Sequence, residues 1–344
     1  MVTRLEHVAT LCAGTGLRVL FIGGTGVISA AAAERAVAVG HRLTILNRGS
    51  ETLRPAPEGA EVLKADIRDP AAAHAALGNR MFDVVVDFVA FTADQVAADI
   101  ELFAGRTRQY IFIGSASAYQ KPPARLPILE STPLRNPFWQ YSRDKIACED
   151  LLVKTYREDG FPVTIIRPSH TYDRTSIALN GGWTDIARMR AGKPVVVHGD
   201  GTSLWTLTHA SDFAKALVGL FGLPQAIGDS FTITSDEYLP WNRIYEIFAE
   251  AAGAPAPQLV HIASDTIAAA APELGPSLLG DKSHSLVFDN SKVKALVPEF
   301  TCTVPFALGA RQILNWFDAN PDQQIVDEGL NATFDQLIAA ARPQ

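Results

Sequence analysis

The sequence has few cysteines, little charge and no long hydrophobic run, and each shortage excludes a class of protein. Three cysteines in 344 residues, without metal-ligand spacing, support neither a disulfide framework nor a metal site such as zinc. A membrane-spanning helix needs about 18 consecutive apolar residues, and no run approaches that length. The first 16 residues also lack the hydrophobic stretch of a signal peptide. We therefore expect a loose extension there and a protein of the reducing cytoplasm, outside the membrane.

Charge of either sign is sparse, and its balance is acidic. Charged residues make up 19% and hydrophobic residues 47% of the chain, a composition that suits a folded core. The formal net charge is −7, and the lysines and arginines are scattered along the sequence. Because nucleic-acid binding needs a basic patch, we expect no nucleic-acid partner.

Short β-rich runs alternate with helical stretches over the first two thirds of the chain. Strands separated by helices of this length form right-handed βαβ units with a parallel sheet. The predicted strands are 17–23, 42–47, 61–64, 84–89, 110–114 and 163–167. The predicted helices are 27–39, 70–77, 93–103 and 141–158.

The alternation breaks after Pro168. We predict a loop-rich segment over 171–200, then a helix near 211–221 and a strand near 230–234. The fold class is therefore predicted as α/β, a doubly wound parallel-sheet Rossmann domain with a smaller C-terminal α/β substrate lobe. The predicted division gives 17–170, with the helix and strand of 205–235 packed onto it, to the Rossmann domain, and 171–204 with 236–344 to the substrate lobe.

The first predicted strand runs into a turn of the pattern G-x-x-G-x-x-S, with Gly23, Gly26 and Ser29 at the marked positions. Such a turn lets the backbone approach a pyrophosphate, and the amino end of the next helix, at Val27 and Ile28, offers free N–H groups. Ser29 replaces a third glycine that mainly controls helix–strand packing. The position between the first strand and the first helix favours a dinucleotide site.

Two further positions bear on which dinucleotide binds. The second strand ends at Asn47 and Arg48, where NAD-binding sequences usually have an acidic residue for the ribose 2′-hydroxyl. A guanidinium suits a 2′-phosphate, which favours NADP over NAD, although a solvated arginine in a turn is the alternative. Asp66, followed by Ile67, is placed to accept a hydrogen bond from the adenine amino group, with a helix cap as its alternative.

A serine, a tyrosine and a lysine form a candidate catalytic set. Ser115 follows a central strand, and Tyr141 and Lys145 lie four positions apart, on one face of a helix. Oxidation of an alcohol needs a base, and lowering a phenol pKa from about 10 to 7 requires roughly 4 kcal/mol, which the lysine ammonium and the nicotinamide charge could supply. A Y-x-x-x-K pair alone often marks only a partly exposed face of a helix, without a catalytic role. The serine at the strand end and the Gly-rich turn are the features that favour a catalytic role here.

The motifs GGTGVIS, Asp66, GSASAY, YSRDK, IIRPSHTYD, GDGTSLWTLTHASDF and FDNSKVKALVPEF follow one another along residues 17–316. In this order they resemble the extended short-chain dehydrogenase/reductases, the NAD-dependent epimerase/dehydratase family. The resemblance implies Tyr141 as base, Lys145 at the nicotinamide ribose and Ser115 as positioner of the substrate oxygen. It also implies that Pro168 borders the nicotinamide, that Val89 lies near the cofactor ribose, and that Gly23, Gly26 and Ile28 line the pyrophosphate.

Two departures from the family narrow the chemistry. Family members that remove water from a sugar usually carry Thr-Asp-Glu, where this chain has Ser115, Ala116 and Ser117. Without those carboxylates dehydration is disfavoured, and Ser117 becomes a candidate substrate contact. Trp205 replaces an arginine that often grips the diphosphate of a nucleotide sugar. The indole could stack on a sugar or base, or it could be a core aromatic.

Other candidates for the substrate site are Arg174 or Arg188, either of which could supply the missing charge, and His170. The histidine could hydrogen-bond a substrate hydroxyl or act as a second acid or base, or it could be structural. We thus expect an epimerase or dehydrogenase for a sugar or nucleotide sugar. The alternative is a non-catalytic nucleotide- or RNA-binding scaffold, as in the chloroplast stem-loop RNA-binding proteins that resemble this family. The family resemblance also suggests a homodimer through the helices 93–103 and 141–158.

Overall fold

The computed structural model describes residues 16–49 and 53–341, so the predicted N-terminal extension over 1–15 lies outside the described residues. The strands are β1 Arg18–Ile22, β2 Arg42–Asn47, β3 Glu61–Lys64, β4 Val84–Asp87, β5 Tyr110–Ile113, β6 Val163–Pro168, β7 His170–Tyr172, β8 Val195–His198, β9 Leu204–Trp205, β10 Leu207–His209, β11 Ser230–Ile233, β12 Leu239–Pro240 and β13 Leu259–Ile262. The helices are α1 Val27–Ala38, α2 Pro70–Leu77, α3 Ala93–Phe103, α4 Gln140–Asp159, α5 Trp183–Arg190, α6 Ala210–Gly219, α7 Trp241–Ala251, α8 Ser264–Ala270, α9 Ser291–Leu296, α10 Phe306–Ala319 and α11 Glu328–Ala341.

Seven parallel strands form the central sheet, in the order β11-β6-β5-β4-β1-β2-β3. Strand order reverses between β1 and β4, which pair directly. In open α/β sheets, ligands bind outside the carboxyl ends of the strands at such a reversal. The loops that follow β1, β2 and β4 are therefore placed to form a nucleotide site.

The sheet is apolar on both faces because alternate residues of each strand point to opposite sides. In β1, Val19 and Phe21 pack in a core with residues of α1 and α6. Leu20 and Ile22 pack on the other face with residues of α3 and α4. Helices therefore cover both faces, and the predicted fold class, a doubly wound parallel-sheet domain with a smaller C-terminal α/β lobe, is confirmed.

The segment predicted to be loop-rich, 171–200, instead contains α5 and β8, so that prediction was wrong. Trp183 and Ile186 of α5 pack with Ile244 and Phe248 of α7 in a separate hydrophobic core. Such short elements are stabilised by this long-range packing rather than by their own sequence. Strand β8 pairs with β13 and packs under α11.

Strand β11 and helix α6 lie against the elements of the central sheet. Strand β11 pairs with β6 at the edge of the sheet, and α6 shares a core with α1. A helical turn, Gly275–Ser277, continues as the π-helical turn Leu278–Lys282 between the two parts of the chain. Among the residues that the structure describes, no helix combines the length and the apolar character needed to cross a membrane.

Candidate active site

A groove of about 560 Å³ lies at the carboxyl ends of β1, β2 and β4. Its walls include all of the residues that the sequence assigned to the cofactor from the first half of the sheet. These are Gly23, Gly26, Val27, Ile28, Asn47, Arg48, Asp66, Ile67 and Val89. The fold thus gathers residues from four separate turns along one elongated groove.

The turn after β1 requires its glycine and explains its serine. Gly23 has φ +82°, and a Cβ there would lie 2.3 Å from Cγ1 of Val89. The Ser29 hydroxyl donates to the Gly23 carbonyl at 2.8 Å and accepts from the Gly26 amide at 2.7 Å. The first N–H groups of α1 have no partner within the helix and face the groove. Backbone room and free amides are the features that a pyrophosphate needs.

Polar side chains stand at the far end of the groove, where β2 and β3 end. Asn47 accepts from the Gly49 amide at 2.9 Å, and Arg48 is exposed at the rim. Lys64 pairs with Asn47 in the strand register, and its Cε would lie 3.1 Å from a Cβ on Gly49. Lys64 lies beside Gly49, which lines the groove, but is not itself among the lining residues.

The nearby residue Asp69 distinguishes between the two roles considered for Asp66, a contact with adenine and a helix cap. Asp69 caps α2 by accepting from the amides of Ala71 and Ala72 at 3.1 and 3.0 Å. The Asp66 side chain accepts from the Arg68 amide at 2.9 Å. Asp66 therefore shapes the turn along the groove, and the helix cap belongs to Asp69.

Lys145 is held beneath the groove by backbone carbonyls. Its side chain is 2% exposed, and Nζ donates to the carbonyls of Ala90 at 2.7 Å and Ile113 at 2.8 Å. Nζ also lies 4.6 Å from the ring centroid of Phe91, which lines the groove. Burial lowers the pKa of Lys145 to about 8. The ammonium form therefore still predominates at neutral pH.

Tyr141 lies where the groove meets a second cleft. Its ring centroid is 6.3 Å from that of Phe91 and 4.9 Å from that of Trp139. Burial raises the pKa of Tyr141, whereas hydrogen bonding with Ser115 lowers it. Lys145 Nζ is 5.9 Å from the tyrosine ring. Desolvation therefore outweighs the effect that we expected from the lysine, and the phenol stays protonated in the protein's own field.

The second cleft, which we call the substrate cleft, has a volume of about 340 Å³. It opens between the ends of β5 and β6, the start of α4 and the π-helical turn. The residues predicted from the sequence that line it are Ser115, Ser117, Tyr141, Pro168, His170 and Trp205. Two members of the candidate catalytic set, Ser115 and Tyr141, thus line one space together with four further predicted residues. Lys145 does not line the cleft and lies under the tyrosine ring.

His170 and Trp205 form a fixed pair in the wall of the cleft. The indole Nε1 of Trp205 donates to Nδ1 of His170 at 3.1 Å. Because an indole N–H is only a donor, Nδ1 is an acceptor and the proton of the neutral ring resides on Nε2. Burial lowers the pKa of His170 to about 3. The ring is therefore a neutral hydrogen-bonding group at physiological pH.

The two arginines proposed as replacement charges do not reach the cleft. Arg174 is exposed and is not among the lining residues. Arg188 is buried in the C-terminal lobe, where it binds Oδ1 of Asn331 at 2.6 Å and Asp335 at 2.8 Å. The position of Arg188 could not be predicted from the sequence, because α5 was not predicted.

Two charged residues of the π-helical turn line the cleft and were missed. Asp281 lies 3.2 Å from the buried ammonium of Lys121, and burial raises the pKa of its carboxyl group. Lys282 donates to Oδ1 of Asn180 at 2.8 Å, and burial lowers its pKa. No sequence signal marked this turn, because its relation to Tyr141 depends on tertiary folding alone.

Comparison with known proteins shows which family and which relatives this chain is similar to. Residues 19–233 match the sequence model of the NAD dependent epimerase/dehydratase family. A 2'-dehydrokanamycin reductase of Streptomyces kanamyceticus is 28% identical over 246 residues, covering 70% of this chain and 68% of the relative. The chloroplast stem-loop binding protein of 41 kDa b of Arabidopsis thaliana is 27% identical over 256 residues, covering 71% of this chain and 65% of that protein. This chain thus spans about two thirds of both relatives.

Solved structures show the same fold. The UDP-glucose 4-epimerase of Bifidobacterium longum, solved with NAD+ and UDP, has a TM-score of 0.70 at 19% identity. The similarity covers 89% of this chain and 99% of that one. At this level of identity the likeness establishes the architecture.

Proposed function

This chain belongs to the NAD-dependent epimerase/dehydratase family, and we propose that it is an NAD(P)-dependent oxidoreductase or epimerase acting on a hydroxyl-bearing carbon of a sugar or nucleotide sugar. One observation carries the proposal. The hydroxyl of Tyr141 faces Ser115 in the substrate cleft while its ring contacts Phe91 of the cofactor groove. A proton-transferring group thus stands where substrate and nicotinamide would meet.

The proposed chemistry assigns one role to each side chain. Bound nicotinamide would accept hydride from a carbinol carbon, or return it. Tyr141 would exchange the proton of the substrate hydroxyl, taking it during oxidation and giving it back during reduction. Ser115 would donate a hydrogen bond to the same oxygen and hold it in line. Lys145, fixed by the carbonyls of Ala90 and Ile113, would bind the cofactor ribose and add positive charge near the phenol.

For the cofactor we propose NADP, with NAD as the alternative. Arg48 lines the groove at the end of β2, where an acidic residue would favour NAD. Lys64 runs beside Gly49 and adds a second positive charge. Two cations at this end of the groove would stabilise a 2′-phosphate.

The substrate is proposed to be sugar-like. The partly buried indole of Trp139 lines the cleft and offers a flat apolar face of the kind on which sugar rings stack. The indole of Trp205 is only 3% exposed and packs against Trp241, as a core aromatic does. Asp281, Lys282 and His170 supply acceptors and donors for hydroxyl or amino substituents. One relative is named as a reductase and others are named as epimerases. We therefore propose either a reduction or an epimerisation as the type of reaction.

The proposal is tested by measuring the turnover of a variant that lacks the hydroxyl group of Tyr141. Wild-type protein would be incubated with NADP+ or NAD+ and a panel of free and nucleotide-linked sugars, and nicotinamide absorbance would be followed. For any substrate found, we expect Tyr141→Phe to lose about 100- to 10,000-fold of kcat, since general acid–base catalysis contributes that much. Tyr156→Phe, the same change at an exposed position of α4, is the matched control. Unchanged turnover by Tyr141→Phe with unchanged cofactor affinity would refute the proposal.

The scaffold alternative has one observation in its favour, because one relative is named as a stem-loop binding protein. Against it stand the net charge of −7 and the complete Ser115, Tyr141 and Lys145 set. Strong, salt-dependent RNA binding in a gel-shift titration would favour the scaffold.

We also propose that the protein acts in the cytoplasm.

We further propose a homodimer in which two copies pair through α3 and α4. These helices pack side by side on one face of the sheet. Light scattering of the purified protein tests the proposal, and a monomer mass at micromolar concentration would overturn it.

A further inference from the structure

A chain of three serine hydroxyls leads from the interior of the protein to the candidate base. Ser142 of α4 is fully buried, at 0% exposure, and its Oγ donates to Oγ of Ser117 at 2.8 Å. Oγ of Ser117 lies 2.8 Å from Oγ of Ser115. Ser115 and Tyr141 both line the substrate cleft, and the Ser115 hydroxyl lowers the pKa of Tyr141. Two residues that are adjacent in sequence, 141 and 142, are thus also joined through the loop after β5.

The chain has a preferred direction because each hydroxyl carries one hydrogen. Ser142 supplies its hydrogen to Ser117, which is then free to donate its own to Ser115. The backbone N–H of Ser117 also donates to Oγ of Ser115, at 3.2 Å. When Ser117 donates in this direction, the oxygen of Ser115 is an acceptor and its own hydrogen is left for the cleft and the tyrosine oxygen.

We propose that Ser142 is a positioning residue that, through Ser117, orients the hydrogen of Ser115 toward the oxygen of Tyr141 and toward a bound substrate oxygen. A chain of hydroxyls polarised in one direction strengthens its last hydrogen bond. Ser142 touches neither groove nor cleft, so it acts only through its neighbours.

Other titratable groups around Tyr141 also influence its pKa. The charge of Asp281, from the π-helical turn, raises the pKa of Tyr141, as does Cys148 from α4. Asp281 is itself paired with Lys121, and Lys145 lies under the tyrosine ring. None of these groups is bonded to Ser142, so a Ser142 variant leaves them in place.

The experiment is an alkaline NMR titration of the protein labelled with 13C at tyrosine Cζ, with Tyr141→Phe used for assignment. We expect Ser142→Ala to raise the pKa of Tyr141 by about half to one pH unit, the equivalent of weakening one hydrogen bond. Ser117→Ala interrupts the same chain one step closer to Tyr141 and should give a similar or larger shift. If Ser142→Ala does not fold, Ser142→Cys, whose thiol is a weaker donor than a hydroxyl, tests the same residue.

The matched control is Thr155→Ala, which removes a buried hydroxyl from the same helix. Thr155 donates to the carbonyl of Leu151 and has no connection to the serine chain. A Tyr141 titration unchanged in Ser142→Ala but shifted in Ser117→Ala would overturn the role of Ser142. An equal shift in Thr155→Ala would overturn it as well, because it would indicate a general helix effect. Because the readout needs no substrate, it is independent of whether the proposed function is correct.

Discussion

The cofactor groove and the substrate cleft are built by different parts of the polypeptide. The groove is largely backbone: a turn at Gly23, free amides of α1 and strand ends, all within residues 22–95. The cleft is largely side chain, and its walls come from residues between 115 and 288. A backbone site constrains where side chains must be absent, whereas a side-chain site constrains which ones are present. Substitutions in the groove and in the cleft should therefore have different effects.

The largest expected effect is at the glycine that opens the groove. We expect Gly23→Ala to weaken NADPH binding about 100-fold, because a side chain is strained at positive φ and fills the space needed by a pyrophosphate. The added methyl would also meet Cγ1 of Val89 at 2.3 Å. Fluorescence titration with NADPH measures the effect.

Gly40→Ala is the matched control, since Gly40 also has positive φ, +89°, but has no atom within 4 Å of an added Cβ. That variant should lose stability but keep NADPH affinity. If both variants bound NADPH like wild type, the groove would not be a nucleotide site.

The same contrast explains what could be predicted from the sequence. The turn at Gly23 and the strands of 42–47 and 61–64 follow from local patterns, and the structure has them where the patterns place them. The segment 171–200 was mistaken for loops because α5 depends on packing against α7. Asp281 was missed for a similar reason, since only the fold brings the π-helical turn to Tyr141.

Ser142 shows an intermediate case. Ser142 is buried on α4, three positions before Lys145, yet its partner Ser117 lies in another loop. Local periodicity could indicate that it is buried. It could not indicate what it contacts.

The next effect belongs to the cleft. Because removal of one hydrogen bond to a charged group costs about 1.5–3 kcal/mol, we expect Asp281→Asn to lower kcat/KM about 30-fold for a substrate that contacts this carboxylate. Affinity for NADPH should not change, since Asp281 is outside the groove. Asp281 raises the pKa of Tyr141, so the tyrosine limb of the pH–rate profile should move to lower pH. Steady-state kinetics over a range of pH measure both changes.

Asp265→Asn, an exposed position on α8, is the control for that variant and should behave like wild type. A loss of NADPH affinity in Asp281→Asn equal to its loss of kcat/KM would contradict the separation of cleft and groove.

A smaller effect is expected at the rim of the groove, where a side chain adds to a backbone site. Arg48→Met should weaken NADPH binding about 10-fold, the value of one charge-assisted contact with phosphate. NADH affinity should stay the same because NADH has no 2′-phosphate. Arg42→Met, an exposed arginine at the start of the same strand, is the control. Equal losses for NADH and NADPH would assign Arg48 a structural role.

The smallest effect concerns stability, and it belongs to the cleft, because no histidine lines the described groove. The pKa of His170 is lowered to about 3 by burial, so below its ordinary value of about 6.5 the unfolded chain binds a proton that the folded chain does not. The free energy of unfolding therefore falls as pH decreases through this window, by about 1 kcal/mol for this histidine between about pH 7 and pH 5.5. His170→Gln, whose amide oxygen can still accept from Trp205, should lose that much less stability over the same interval in urea denaturation. His74→Gln, at an exposed position, should keep the wild-type dependence on pH, and a His170→Gln profile identical to wild type would mean that this imidazole is not held neutral by the cleft.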